Sequence, residues 1–175
     1  TQLGRVIERE RAQKALRRAY DRLEQRVAER TQELSEVNTR LKVSEERLTL
    51  ALEGAHLGVW DWYIDRDQLI YDERWAQMLG YSLHAIQSSR SIWENLTHPE
   101  DKPRVLQALA AHLKGSTDTY EVEYRLKTQT GEWKWILVRG KAVTKETNGR
   151  VTRMTGIHLD ITERKRVEQA LRDSE

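Results

Sequence analysis

The chain has 175 residues, enough for one ordinary domain and one long accessory element but not for a second full core. Its 30 basic and 28 acidic residues nearly balance to a net charge of +2, so no strong electrostatic field favours nucleic acid or an anionic membrane as a partner. The absence of cysteine excludes disulfides, thiolate catalysis, cysteine-bound metals and photochemistry through a flavin–cysteine adduct.

The N-terminal part of the sequence is patterned as one long helix. From residue 16 onward, apolar side chains recur in alternating steps of four and three, and no Gly or Pro interrupts the pattern between Gly4 and Gly54. Such a narrow seam is most simply buried against a second copy of the same helix, so we predict a parallel coiled coil over residues 1–47 and a homodimer. Polar residues at two seam positions, Arg30 and Ser44, either set the register or let the helices shift between two states. The apolar seam consists of Leu16, Tyr20, Leu23, Val27, Leu34, Val37, Leu41 and Leu48.

A cluster of basic residues precedes the seam, which is also typical of basic-leucine-zipper DNA binding. The cluster is interrupted by Glu8 and Glu10, and it contains no Asn to read a base. We therefore expect no nucleic-acid partner; strongly salt-dependent binding to duplex DNA would revive this alternative. The basic residues are Arg5, Arg9, Arg11, Lys14, Arg17 and Arg18.

The sequence changes after Gly54 to the pattern of a mixed α and β domain. The segments "HLGVWDWYID" (56–65) and "QLIYD" (68–72) predict a β-hairpin. Short helices are predicted over residues 73–81 and 83–87, and a longer helix over residues 97–115.

The period then returns to two residues. Three alternating segments, 119–127, 133–143 and 151–162, predict an antiparallel meander, and a charged helix follows over residues 163–175. The expected fold is α+β, with a five-stranded antiparallel sheet and small helices on one face. No apolar run approaches the roughly 18 residues of a membrane span, so no direct membrane contact is expected for this stretch.

Several motifs occur in the order seen in PAS (Per-ARNT-Sim) sensory domains of bacterial signalling proteins: "LGVWDW", "LGYS", "HPEDKPRV", "YEVEYRLKTQTGEWKWILVRG" and "GIHLDITERKR". Residues 48–162 resemble that family, and "LEQRVAERTQEL" (23–34) is similar to the signalling helices that join sensor modules to histidine kinases and diguanylate cyclases. The resemblance implies a PAS fold with a pocket between sheet and helices. It also implies a cytoplasmic, non-catalytic relay module with neighbouring PAS or effector domains in the same chain. In keeping with such neighbours, "ERERAQKALR" (8–17) recurs in part as "ERKRVEQALR" (163–172).

In the family that this sequence resembles, the last strand is central and continues into the output helix. Carried onto this chain, the resemblance implies that Asp160 pairs with a basic group of the neighbouring strand, for which we choose Arg139. It implies further that Thr162 caps the helix through its hydroxyl. These three residues are the predicted signal-coupling site, a junction with two arrangements. The alternative is an ordinary charged helix start with its cap, and the switch is favoured because a coiled coil enters the same domain from the other end.

The pocket implied by the resemblance would be lined by large apolar side chains and one histidine. A heme, with His112 as its iron ligand, a flavin or a small metabolite are the alternatives for its content. Large aromatic residues in a chain without Phe are more often simply its core, so no cofactor is predicted. No nucleophile–base pair, phosphate-binding Gly loop or paired carboxylates occur, and we expect no catalysis by this stretch of chain. The candidate pocket residues are Trp60, Trp75, Met78, Leu79, Trp93 and His112.

Overall fold

A computed structural model of the chain describes residues 2–86 and 89–174. It divides into two compact units, the residues up to Leu50 and those from Ala51 onward. Three sequence predictions reach beyond the described residues. They concern Thr1 in the predicted coiled coil, Gln87 at the end of a short helix and Glu175 at the end of the C-terminal segment.

The described residues of the first unit, 2–50, are all helical. Helix α1 spans Gln2–Gly54 and has no buried side chain. The apolar seam residues are between 54% and 68% exposed, although side chains of this kind are normally covered in a stable helix. The long helix predicted from the heptad pattern is confirmed, and its seam is exposed in the part of the chain that the structure describes.

The second unit is built on one antiparallel sheet, as predicted. The strands are β1 (Leu57–Tyr63), β2 (Gln68–Tyr71), β3 (Tyr120–Lys127), β4 (Trp133–Lys145) and β5 (Val151–Asp160). They lie in the order β2-β1-β5-β4-β3, so the last strand along the chain is the central strand of the sheet. The predicted five-stranded α+β fold is therefore confirmed.

Among the described residues, three α-helices lie between β2 and β3 and one follows β5. They are α2 (Glu73–Leu79), α3 (Arg90–Leu96), α4 (Lys102–Leu113) and α5 (Thr162–Arg172). A 3₁₀ turn, Leu83–Ala85, lies where a short helix was predicted over residues 83–87. Helix α4 begins later than the predicted start at residue 97. The reason is that Thr97 ends α3, where its hydroxyl donates to the carbonyl of Trp93 at 2.7 Å, and then forms a β-bridge with Leu126.

The hydrophobic core lies between one face of the sheet and helices α2 to α4. Alternate residues of β1 and β3 are buried in it, which explains the polar–apolar alternation of the β3 sequence, whereas β4 buries three consecutive residues, Ile136, Leu137 and Val138. The largest side chains that are almost fully buried are Trp75, Tyr124, Leu79, Leu126, Ile136, Met154, Val105 and Val138.

A pair of glycines gives one tryptophan its place in the core. Gly140 of β4 and Gly156 of β5 face each other across the sheet, and Trp60 of β1 stands opposite Gly156. A Cβ atom on Gly140 would lie 2.4 Å from Cζ2 of Trp60. The indole ring therefore packs directly on the backbone at these two positions, where any side chain would displace it.

Candidate functional site

The central strand passes into helix α5 with a single residue between them. Asp160, at the end of β5, accepts a hydrogen bond from the backbone N–H of Thr162 at 2.9 Å and pairs with the Lys134 ammonium of β4, also at 2.9 Å. The Thr162 hydroxyl accepts a hydrogen bond from the backbone N–H of Trp135 at 3.0 Å. The start of α5 is thus tied to β4 through two nearby side chains.

These contacts keep the Asp160 carboxyl group in its charged form. Burial by itself raises the pKa of Asp160, but the hydrogen bonds from Thr162 and Lys134 outweigh burial and lower this pKa below its ordinary value. At neutral pH the group is a carboxylate facing an ammonium group, so the contact is a charge-assisted hydrogen bond.

The predicted pair between Asp160 and Arg139 is wrong. Asp160 stands opposite Ile136 in the β4–β5 register, whereas Arg139 stands opposite Ile157. Because side chains alternate between the two faces of a sheet, this odd offset puts Arg139 on the other face. Its guanidinium group instead bonds to Glu121 of β3 at 2.7 Å.

The predicted helix cap by the Thr162 hydroxyl is also wrong. Ile161 occupies the position before the helix, and no side chain there caps it. The Thr162 hydroxyl is already engaged with the backbone of β4, while the Asp160 carboxylate accepts the N–H of the first helical residue. Asp160 therefore accepts a free backbone N–H at the start of the helix, the capping role that was predicted for the Thr162 hydroxyl.

Further contacts hold the first turns of α5 against the face of the sheet opposite the core helices. Glu123 of β3 pairs with Lys165 at 2.7 Å and also with Arg164. The hydrogen bond from Lys165 is the main reason why the pKa of Glu123 is lowered. Two cations lie over the ring of Trp135, the Lys165 ammonium at 5.2 Å and the Arg125 guanidinium at 5.3 Å from the ring centre.

The second candidate site is a cavity of about 40 Å³ on the core side of the sheet. For comparison, a cavity that holds a benzene molecule measures about 150 Å³. The space admits a few water molecules or a few non-hydrogen atoms of a ligand, and it does not fit a heme or a flavin. The lining residues are Trp60, Trp62, Leu69, Tyr71, Arg90, Trp93, Leu109, Tyr120, Tyr124, Val138 and His158.

The lining carries buried polar atoms that have no hydrogen-bond partner among the described residues. They are the indole N–H groups of Trp60 and Trp62, the hydroxyl groups of Tyr71 and Tyr120, and Nε of Arg90. The four aromatic side chains among them are only 4% to 6% exposed. Such orphan groups are rare in folded proteins, because a buried donor without an acceptor is energetically costly.

A short chain of hydrogen bonds lies beside these orphan groups. The Trp75 indole donates to Nδ1 of His158 at 2.6 Å, the Trp93 indole donates to the Tyr124 hydroxyl at 2.7 Å, and this hydroxyl lies 3.5 Å from Nε2 of His158. Burial lowers the pKa of His158 to about 3, so the imidazole is neutral at pH 7. With Nδ1 accepting, its single proton is on Nε2.

The structure brings only part of the predicted pocket together. Trp60 and Trp93 line the cavity, whereas Trp75 and Leu79 are core residues outside its lining and Met78 packs against the core. For His112, Nε2 accepts the N–H of Ala142 at 3.1 Å and Nδ1 lies 2.9 Å from the carbonyl oxygen of Thr117. Both ring nitrogens of His112 are engaged, so neither is available to an iron atom.

Several residues of the cavity are not among the candidate pocket residues predicted from the sequence. The signal for three of them was present, because Trp62 shares a strand face with Trp60, and Tyr120 and Tyr124 alternate with polar residues along β3. His158 carried no such signal, because its role depends on the position of the Trp75 indole in another element.

The described residues offer neither a metal site nor a membrane-spanning helix. Within residues 2–86 and 89–174, no group of three or more His, Asp or Glu side chains is placed to hold a metal ion. In the same ranges, no helix combines the length and the apolar character that crossing a membrane requires.

Comparison with known families and structures gives a consistent result. A family model described as "PAS fold" matches residues 68–158. The crystal structure of a sensory box histidine kinase/response regulator from Burkholderia thailandensis E264 is similar, with a TM-score of 0.65. The two sequences are 40% identical, and the match covers 73% of this chain and 94% of that one. The N-terminal domain of a diguanylate cyclase with PAS/PAC sensor from Marinobacter aquaeolei has the same fold, with a TM-score of 0.55 at 20% identity over 62% of this chain and 98% of that one.

Curated proteins of known name are similar over the same region. The "Probable diguanylate cyclase DgcE" of Escherichia coli (strain K12) is 28% identical over 126 residues, or 72% of this chain. The "Non-motile and phage-resistance protein" of Caulobacter vibrioides is 32% identical over 130 residues, or 73% of this chain. The chain spans only 11% and 15% of the lengths of these two relatives.

Proposed function

The chain belongs to the PAS fold family, and from this premise we propose that it is a dimeric sensor and relay module. In this role it passes conformational changes from the domain, through helix α5, to an effector domain further along the chain. The observation that carries the proposal is the direct passage of the central strand β5 into α5 at Asp160. A central strand has neighbours on both sides, so a change in the packing of either neighbour reaches the helix start.

Lys134 connects the junction to the helices of the core side. Its ammonium group donates to the carbonyl of Met78 in α2 at 2.9 Å and pairs with Asp160 at 2.9 Å. A shift of α2 therefore changes the position of the cation that holds Asp160. In this way a structural change near the cavity is transmitted to α5 without a contact between α5 and the cavity.

A second connection runs over the other face of the sheet. The Arg125 guanidinium bonds to Asp101, at the start of α4, at 2.9 Å and lies over Trp135, which in turn contacts Lys165 of α5. Helix α4 is thus linked to the output helix as well. Both connections pass through β4 and end at the start of α5, so each can bias the same element.

The effector class is inferred from the relatives. Similar domains occur in proteins named as histidine kinases and diguanylate cyclases, so we assign this chain to a signalling protein with one of these two effectors. The module itself is assigned no catalysis, a cytoplasmic location, neighbouring PAS or effector domains, and no nucleic-acid partner.

The dimer is supported by the exposed seam of α1, and it gives a direct prediction. At micromolar concentration the chain should sediment as a dimer, and the double variant Leu23→Lys/Leu34→Lys should weaken dimerisation at least tenfold, because two charges would enter the seam. Analytical ultracentrifugation measures both. The matched control, Gln25→Lys/Gln32→Lys, adds the same charge outside the seam and should stay dimeric. A monomeric parent chain would contradict the dimer, and equal weakening in both variants would contradict the seam as its interface.

The junction gives a prediction about signal output. Asp160→Asn keeps the side-chain shape but removes the charge that faces Lys134, so it should loosen the start of α5 at a cost of about 1 kcal/mol, because the pair is partly exposed. Backbone amides in the first turn of α5 should then exchange hydrogen faster, and the response of the full-length protein to its signal should change. Arg139→Gln is the control, since it breaks an exposed pair that does not touch α5. An identical response in both variants, or no change with Asp160→Asn, would refute the coupling role.

Ligand sensing is a second candidate function, favoured by the orphan polar groups of the cavity. Native mass spectrometry of the purified protein tests it. A mass above that of the bare dimer supports a retained ligand, and its value identifies the compound.

A further inference from the structure

We propose that the cavity binds a small, uncharged molecule that carries hydrogen-bond acceptors, of the carbonyl or amide class. The inference rests on the second candidate function, ligand sensing, and names the ligand chemistry that this chain selects. It follows from three properties of the lining, which are its hydrogen-bonding capacity, its charge and its size.

The hydrogen-bonding capacity of the lining is dominated by donors. An indole N–H only donates, and two such groups, on Trp60 and Trp62, have no acceptor among the described residues. The Nε2–H of His158, another lining residue, is not counted with them, because it already lies 3.5 Å from the Tyr124 hydroxyl. A ligand oxygen with two lone pairs satisfies two donors of this kind at once.

The tyrosine hydroxyls adapt to the same ligand. The hydroxyl groups of Tyr71 and Tyr120 both donate and accept, and both lack a partner among the described residues. Burial raises the pKa of both groups, so they are neutral and keep their protons. They are therefore able to donate to a second acceptor atom or to accept from an amide N–H.

The charge of the lining argues against an anion. Arg90 is the one cation among the described lining residues, and Glu94 lies 2.8 Å from its Nε while its guanidinium lies over the Trp62 ring at 5.5 Å. Its charge is already matched by that carboxylate. An anion in the cavity would be buried without a counter-ion of its own, which is strongly unfavourable.

The size of the cavity limits the ligand to a few non-hydrogen atoms. At about 40 Å³ the cavity is well below the volume that holds an aromatic ring. Its lining consists largely of tryptophan and tyrosine rings, and a close-packed core of this kind has little room to expand. Acetamide and acetate are suitable probes, because they have the same shape and differ in charge.

The experiment uses the intact chain and follows the indole N–H signals of its six tryptophans by NMR. Acetamide should shift the signals of Trp60 and Trp62 saturably in the millimolar range, while acetate should shift them at least tenfold more weakly. The signal of Trp133, whose side chain is 38% exposed and not part of the lining, serves as the internal reference. Trp62→Phe assigns its signal and should weaken acetamide binding about two- to tenfold, the range for one lost hydrogen bond.

A second variant guards against loss of the fold. Tyr71→Phe keeps the ring and removes only one orphan hydroxyl, so it should fold normally and weaken acetamide about two- to tenfold as well. Stronger binding of acetate, or shifts that do not saturate with either probe, would overturn the proposal and leave water as the occupant. The dimer and junction experiments do not depend on the cavity, so that outcome would leave the relay function standing.

Discussion

Replacing Gly156 with alanine is expected to destabilise the domain by about 3 kcal/mol or more, among the largest effects of any small substitution in this chain. The added Cβ would lie 2.0 Å from the carbonyl oxygen of Arg139 and 2.6 Å from Cα of Gly140. Both obstacles are backbone atoms of the neighbouring strand, so no side chain can move aside and β4 and β5 must separate locally. Urea denaturation followed by tryptophan fluorescence measures the change as a lower midpoint.

Gly54→Ala is the matched control for this substitution. No atom lies within 4 Å of a Cβ built on Gly54, and the residue is helical, so the change should be neutral or slightly stabilising. A Gly156→Ala variant as stable as the parent chain would show that the two central strands are not in close contact. The packing of Trp60 on these glycines would then also be incorrect.

The stability of the domain is expected to fall by about 2 kcal/mol between pH 7 and pH 5 because of His158. Burial lowers the pKa of His158 in the folded state to about 3. In the unfolded state the imidazole titrates near pH 6.5, as in model peptides. Below about pH 6.5 the unfolded chain therefore binds a proton that the folded chain does not. Each further pH unit costs about 1.4 kcal/mol until the folded pKa is reached.

His158→Gln tests this prediction, because the glutamine oxygen accepts from the Trp75 indole but does not titrate. Denaturant unfolding at several values from pH 7 to pH 5 gives the free energy of unfolding as a function of pH. Its slope should be smaller for this variant by the equivalent of about one proton taken up on unfolding. His84→Gln, at an exposed histidine, should leave the slope unchanged. Equal slopes with and without His158 would contradict its neutral, buried state.

The chosen pH range separates His158 from the carboxylates. The pKa values of Asp160 and Glu123 are lowered in the folded state. A lowered carboxyl pKa stabilises the fold above the unfolded value near pH 4, and this stability is lost as the pH falls through the folded value. The junction of α5 is therefore expected to loosen only in stronger acid, after the core has been weakened.

The fold was largely predictable from the sequence. Apolar side chains recur every second residue in a strand such as β3, and they recur in heptads along the long helix. Details that depend on register were not. Asp160 and Arg139 were predicted to pair because they lie on neighbouring strands, but a side chain three residues out of register lies on the other face. Only the three-dimensional alignment of β4 with β5 identifies Lys134 as the partner.

The cavity was predictable only in outline. Aromatic residues such as Trp60 and Trp93 were expected to line a pocket, but a pattern of apolar residues does not reveal which polar atoms find partners. Trp75 and Trp60 carry the same indole N–H, yet the first donates to His158 and the second has no acceptor among the described residues. That difference arises from packing between distant elements, which no local pattern encodes.

The position of β5 also means that the sheet can close only after its last strand has been synthesised. Until this strand has been synthesised, the β1–β2 hairpin and the β3–β4 pair share no neighbour, and isolated hairpins are only marginally stable. Its pairing with β1 brings Leu57 next to Leu159, a long-range contact that slows folding. Helix α1 precedes the sheet in the chain and requires only local contacts, although a long isolated helix is marginally stable in water. If the proposed dimer forms through α1, its interface is therefore synthesised before the sheet can close.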